Sequence, residues 1–297
     1  MKEPIFTGSG VAIVTPFRNE TVDFPALGRL LEVQIAAGTD AIIVCGTTGE
    51  ASTMTYHERM RTIEYCVDQV NGRVPVIAGS GSNSTEVAIH LSRDAEHSGV
   101  DGLLVVTPYY NKATQAGLVR HYQVIADAVT KPIILYNVPS RTGVNIAPET
   151  YAQLAQHPNI IGVKEASGNL SNLQKTRNLC PKDFYIWSGN DDEVVPICAL
   201  GGVGVISVVA NIAPAIMHRL VTLCLSNDYE AAGALQLELK DLCDAMFCEV
   251  NPIPGKTAMG MLGLCEETVR LPLCAPTAEH SEQIRQALSH FNLLPPA

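Results

Sequence analysis

The sequence predicts a (β/α)8 barrel carrying a helical extension at its C-terminus, and three observations lead there. Eight short apolar runs, mostly β-branched and continuous rather than alternating, are bounded by Gly, Pro or Asn. That is the pattern of parallel strands covered on both faces. A segment of helix length follows each run, and the eighth such pair ends near residue 226, close to the roughly 200–250 residues this architecture needs.

The strand candidates run over 10–17, 40–46, 74–81, 101–110, 131–139, 160–167, 184–190 and 202–211. The first helix begins near Asp23, carries Leu27, Leu30, Leu31 and Ile35 at helical spacing, and stops at Gly38. Another follows Asn83, with Val87, Leu91 and Ala95 recurring every fourth residue before Gly99. Further helical segments cover about 55–70, 114–128, 148–156, 169–178, 191–200 and 214–226. A doubly wound open sheet fits the same alternation, because strand order is not written in the sequence. Beyond the eighth pair, Ala231, Leu235, Leu239, Leu242 and Met246 form an apolar stripe that "NPIPGK" (251–256) breaks, and segments near 257–264 and 278–291 follow. With no repeat or linker between them, 1–226 is expected to form the barrel and 227–297 a helical region packed on it.

Composition narrows the function. The chain has 297 residues, 46% apolar and 17% charged, with 20 basic and 30 acidic side chains and a net charge of −10. A nucleic-acid backbone binder would carry a basic footprint instead. An anionic small molecule remains compatible, since a pocket can be locally positive. No apolar run suits a signal peptide or a membrane span. Nine cysteines, odd in number and scattered without zinc spacing, read as reduced and mostly buried thiols of a cytoplasmic protein.

In a barrel of this type, chemistry gathers at the C-terminal ends of the strands. Those ends carry "GTTGE" (46–50), "GSGSN" (79–83 read with Gly79), Pro108–Tyr109–Tyr110, Tyr136–Asn137, Lys164–Glu165, Ser188–Gly189–Asn190 and Val209–Ala210–Asn211. "GSGSN" is not a complete dinucleotide fingerprint, and "GGVGV" (201–205) reads as tight packing at a strand start. Lys164 is the one basic residue embedded in a strand. Inside a barrel a lysine loses hydration, which favours the free amine, and a free amine attacks a ketone to form a Schiff base. The strand alone equally allows a lysine that reaches the rim or pairs with Glu165. Alternation puts Lys164 with Gly162 on one face and Ile161, Val163 and Glu165 on the other, so Gly162 would leave room beneath the lysine. Tyr136, on the preceding strand, would bring a phenol near Lys164 able to move protons, or would be an ordinary core tyrosine.

Taken together, "GTTGE", "TPYYNK", "YNVPSRTG", "GVKEASG" and "NPIPGK", in that order from about residue 5 to the end, resemble the 4-hydroxy-tetrahydrodipicolinate synthase (dihydrodipicolinate synthase) family. That family lies within the pyruvate-dependent class I aldolases that include N-acetylneuraminate lyase. The resemblance implies a lyase that condenses pyruvate with L-aspartate-4-semialdehyde, with no metal or organic cofactor, in diaminopimelate and lysine biosynthesis. It implies that Lys164 forms the imine, that Thr47 and Thr48 hold the pyruvate carboxylate, and that Tyr136 acts as general acid and base. Through Thr47, Tyr136 would be linked to Tyr110, contributed by a neighbouring subunit of a homotetramer built as a dimer of dimers. Gly189 and Ile206 match positions whose backbone lines the site. Arg141 matches the arginine that receives the semialdehyde carboxylate, a contact suited to a guanidinium fork. The alternatives are another pyruvate-dependent aldolase acting on a sugar acid, in which an arginine at 141 would be unusual, and a keto-acid-binding barrel without catalysis.

Two departures from the family pattern stand out. Gly255 replaces a frequent valine in "NPIPGK". At the lysine-effector site of many relatives, Ser52, Asn83 and Tyr109 fit, whereas Tyr56 and Arg59 stand in place of histidines and Val87 in place of a glutamate. Loss of that charge partner predicts weak or absent inhibition by L-lysine.

Overall fold

The computed structural model describes residues 1–294, so the last three residues assigned to the C-terminal region lie outside the described residues. Eight parallel strands, β1 (Gly8–Ala12), β2 (Ala41–Val44), β3 (Val76–Gly79), β4 (Gly102–Val106), β5 (Ile133–Asn137), β6 (Ile160–Glu165), β7 (Tyr185–Ser188) and β8 (Gly204–Ser207), close into a barrel. Each strand pairs with its sequence neighbours, and β8 returns to β1. The closed order excludes the open doubly wound sheet.

Around the strands run α1 (Phe24–Ala36), α2 (Tyr56–Val70), α3 (Thr85–His97), α4 (Gln115–Asp127), the short α5 (Pro139–Thr142), α6 (Pro148–Leu154), α7 (Leu170–Leu179), α8 (Val194–Ala199) and α9 (Pro214–Leu225). Side chains set several starts. Asp23, Ser84 and Thr114 each accept a hydrogen bond from a first-turn amide, and Thr55 forms a reciprocal capping box with Glu58. None of the described helices is long and apolar enough to cross a membrane.

Three local expectations change. The first strand begins at Gly8 and ends at Ala12, and Phe17–Arg18 instead pairs antiparallel with Thr21–Val22. Past Ala12 the chain is caught by Asn211, whose side chain accepts from the Val14 amide and donates to the Ala12 carbonyl, so side-chain bonds replace the ladder. The apolar stripe after residue 227 is two helices, α10 (Tyr229–Glu238) and α11 (Lys240–Met246), divided at Leu239. "NPIPGK" does not only break helix; α12 (Ile253–Met261) starts inside it, with Pro254 in the first turn where no amide hydrogen is required. The last described helix is α13 (Ala278–His290).

Two apolar layers result. Phe6, Ile43, Ile77, Leu104, Ile134, Tyr136, Trp187 and Ile206 fill the barrel interior. The outward strand residues pack with the helices in a second cluster, which also takes in Leu239, Leu242, Met246, Met259, Ile284 and Leu288 of the C-terminal helices. A register shift where β5 meets β6 places Ile133 beside Ile160 and Ile134 beside Gly162. The extra residue turns Ile161 into the interior cluster, against simple alternation, while Val163 faces outward.

Candidate active site

Lys164 sits inside the barrel near the C-terminal end of β6, level with Tyr136 on β5 and Trp187 on β7. It is 4% exposed, and its Nζ lies 4.4 Å from the centre of the Tyr136 ring. Among the described residues no carboxylate comes within 4.0 Å of that nitrogen. The pairing with Glu165 left open by the sequence does not occur. Glu165 faces the outer layer, where it accepts from Tyr151 Oη at 2.9 Å, from Asn137 Nδ2 at 3.0 Å and from the Ser167 amide at 2.9 Å. Burial pushes the Glu165 carboxyl up, and these donors oppose the shift.

Gly162 does not provide the space expected of it. A Cβ there would lie 2.1 Å from the Tyr185 carbonyl oxygen and 2.9 Å from Cζ3 of Trp187, so strand β7 already fills that volume. The glycine that makes room for the lysine is Gly189. A Cβ on it would stand 2.7 Å from the Ala166 Cβ and 3.1 Å from Cε of Lys164. Ile206, on the neighbouring β8, is fully buried in the interior cluster.

On the far side of Tyr136 a cavity of about 300 Å³ opens, with Thr47, Tyr136, Arg141, Ser52, Arg59 and Tyr109 among its walls; Lys164, Thr48, Gly189 and Ile206 do not line it. The threonines of "GTTGE" divide. Thr47 is exposed at the cavity, whereas Thr48 is buried and its Oγ1 accepts from Asn251 Nδ2 at 3.0 Å. Arg141 follows β5 on α5, and its Nη2 reaches the Asn251 carbonyl at 3.5 Å. Tyr110 does not join this cavity. It is 90% exposed, on a residue whose φ of 72° turns the chain outward.

The proposed effector residues are only partly brought together. Ser52 and Tyr109 line the cavity, but Asn83 is not among the lining residues, and its carbonyl accepts from Asn111 Nδ2. Tyr56 donates to Asp94 at 2.8 Å, and Val87 is exposed.

Sequence reasoning missed a buried network behind the threonine loop. Glu50, held at a φ of 52°, pairs with Lys256 at 2.5 Å, with both side chains essentially without exposed surface. Lys256 also donates to the Thr268 carbonyl at 2.8 Å and lies 4.0 Å from the centre of the Phe17 ring. Arg270 stacks on the same ring at 4.2 Å, gives its backbone amide to Glu50, and pairs with Glu58 at 2.5 Å. The only signal in the sequence was a lysine among prolines in "NPIPGK", with nothing to say which strand end it reaches.

Residues 5–291 match the dihydrodipicolinate synthetase family model. The 4-hydroxy-tetrahydrodipicolinate synthase of Thermoanaerobacter sp. (strain X514) is 53% identical over 292 residues, 98% of each chain. That of Clostridium novyi (strain NT) is 51% identical over 288 residues, 97% of each. Among solved structures, dihydrodipicolinate synthase from Aquifex aeolicus superposes with a TM-score of 0.96 at 44% identity, covering 98% of this chain and 100% of that one.

Proposed function

The chain belongs to the dihydrodipicolinate synthetase family, and from that premise we propose how its residues divide the work. The enzyme is a class I pyruvate-dependent lyase that condenses pyruvate with L-aspartate-4-semialdehyde to 4-hydroxy-tetrahydrodipicolinate, in lysine and diaminopimelate biosynthesis.

Lys164 Nζ attacks the ketone carbon of pyruvate, and the carbinolamine loses water to leave an imine. Tyr136 takes and returns the protons that these steps require. Thr47 and Thr48 hold the pyruvate carboxylate, while the backbones of Gly189 and Ile206 shape the floor. Loss of a methyl proton gives the enamine, whose carbon bonds to the aldehyde carbon of the semialdehyde. Arg141 holds the second substrate's carboxylate in a fork. The substrate's own amine then displaces Lys164 from the imine carbon, closing the ring and freeing the enzyme.

The observation that carries this reading is a lysine inside the barrel, against a tyrosine ring and with no carboxylate of the described residues in ion-pair contact. Arg141 on the cavity wall supports a carboxylate-bearing aldehyde over a sugar acid. Borohydride added with pyruvate should fix one adduct on Lys164; an unmodified Lys164 would overturn the mechanism. Side-by-side assays of semialdehyde condensation and sialic-acid cleavage separate this function from the nearest alternative.

We read residues 1–226 as the catalytic barrel and 227–297 as its packed helical region. Tyr110, exposed and absent from the walls of its own cavity, is assigned to a neighbouring subunit's site, and the family resemblance suggests a homotetramer arranged as a dimer of dimers. Cytoplasmic location is the reading supported by nine cysteines, six of them buried as free thiols. Inhibition by L-lysine is expected to be weak or absent: Tyr56 is committed to Asp94, and Val87 has no charge to offer an amine.

A further inference from the structure

We infer that Asp191 is a positioning residue for the condensation, the counter-charge of the Lys164 imine: a buried carboxylate that favours the cationic iminium across a gap without binding the amine. The inference rests on the role proposed above for Lys164. Asp191 lies just past the end of β7, two residues after Gly189, and a Cβ on Gly189 would stand 3.1 Å from Cε of Lys164.

Asp191 is 1% exposed and is held by donors alone, from the end of β8 and the turn that follows it. Ser207 Oγ donates to Oδ1 at 2.5 Å, and the amides of Val208 and Val209 donate to Oδ2 at 3.0 and 3.1 Å. Ser207 Oγ in turn accepts from the Ala210 amide at 2.8 Å, which leaves its own hydrogen for Asp191. A carboxyl that only accepts is ionised, and so short an O–H···O contact is the kind an ionised acceptor makes. Burial pushes this carboxyl up, while the three donors and the charge of Lys164 oppose the shift. Among the described residues no cationic nitrogen lies within 4.0 Å of it, so its charge reaches Lys164 through the interior rather than through an ion pair.

The other groups around it are spent or neutral. Gln236 on α10 donates to the Asp191 carbonyl at 2.9 Å, and burial keeps Cys243 on α11 a neutral thiol. Lys240 is engaged by Asp244, Glu193 accepts from Asn190, and Asp192 is exposed. Around Lys164, β5 presents Tyr136 and β7 presents Trp187, while Glu165 points to the outer layer. Ammonium and iminium carry the same charge, and the enamine carries none. An anion in contact would pair with the amine and hinder its attack. One several ångströms away keeps its pull in a poorly polarisable interior and leaves the lone pair free.

Asp191→Asn removes the charge and keeps the shape, with one oxygen still able to accept from both amides. Lys164 is alkylated with cyanoborohydride and either pyruvate or formaldehyde, and the rate is followed by peptide mass across pH. That rate climbs as the amine loses its proton and falls as the imine loses its own. In Asp191→Asn both limbs should move to lower pH by about one unit relative to the native enzyme, the pull of a unit charge several ångströms away in a partly screened interior. Ser207→Ala, which drops one donor and keeps the charge, should leave both limbs in place. A slower rate with unmoved limbs in Asp191→Asn would make Asp191 merely structural and overturn the inference. Should that variant fail to fold, the native enzyme decides: a buried partner is little screened, so raising the ionic strength should leave the limbs unmoved, and limbs that shift with salt would overturn it. Formaldehyde loading without a pyruvate adduct would instead fault the lysine mechanism, and the formaldehyde limbs would still decide the role of Asp191.

Discussion

Lys256→Met tests whether the C-terminal helices hold the threonine loop through a buried charge pair. In the native fold Lys256 has no exposed surface and Glu50 is 1% exposed, so neither charge can turn to water. Removing the ammonium leaves the Glu50 carboxylate with the Arg270 backbone amide at 3.1 Å, and leaves the Thr268 carbonyl without its donor. Breaking one partner of such a pair costs about 3–5 kcal/mol, because an uncompensated charge stays buried. An unfolding entropy of roughly 2.1 cal/mol/K per residue gives about 0.6 kcal/mol/K for a chain of this length, so Tm should fall by about 5–8 °C.

The companion variant is Glu50→Gln combined with Lys256→Met. Removing both charges abolishes the orphan, so the double variant should lose less stability than Lys256→Met alone. Thermal melts at fixed protein concentration make the comparison, since assembly shifts Tm by mass action. A loss below about 2 °C for Lys256→Met, or a double variant that loses the sum of the two singles, would refute the idea of an uncompensated buried carboxylate.

Three other outcomes follow from local geometry. Gly189→Ala places a methyl 3.1 Å from Cε of Lys164 and should lower kcat by about 10- to 100-fold through displacement of the amine, with pyruvate trapping slowed in parallel. Asn251→Ala removes the donor to Thr48 Oγ1 and should raise the KM for pyruvate by about fivefold, the worth of one hydrogen bond, while the KM for the semialdehyde stays put. His121 is lowered to about 4 by burial. The unfolded chain therefore binds the extra proton first as pH falls, so the stabilisation is complete above about 6.5 and lost toward 4. His121→Gln should flatten that acid loss, which amounts to at most about 3 kcal/mol in urea titrations; an unchanged pH slope would remove His121 from the account.

What the sequence could and could not reveal follows from the range of each interaction. Parallel strands buried on both faces read as continuous β-branched runs, so all eight were visible, but their ends depend on distant partners. Nothing near Ala12 foretells that Asn211 will take over its hydrogen bonding. Lys164 was visible as a lysine in an apolar strand, yet whether it pairs with Glu165 depends on Glu165 turning outward to Tyr151 and Asn137.

Gly162 and Gly189 show the same limit in a sharper form. Both are glycines within reach of the lysine, one on its own strand and one after the next. Strand-local alternation favoured Gly162 as the source of space, because it shares a face with Lys164. The space under a glycine belongs to whichever neighbour the register brings across, and here β7 brings the Tyr185 carbonyl and the Trp187 ring. Gly189 gains its importance only because the closed barrel sets its backbone against Ala166 and the lysine chain. Asn251 and Lys256 follow the same logic across some 200 residues, reaching Thr48 and Glu50 from the far end of the chain. The buried lysine is thus a property of one strand, whereas the shape and rigidity around it come from contacts that exist only once the barrel has closed and the C-terminal helices have packed.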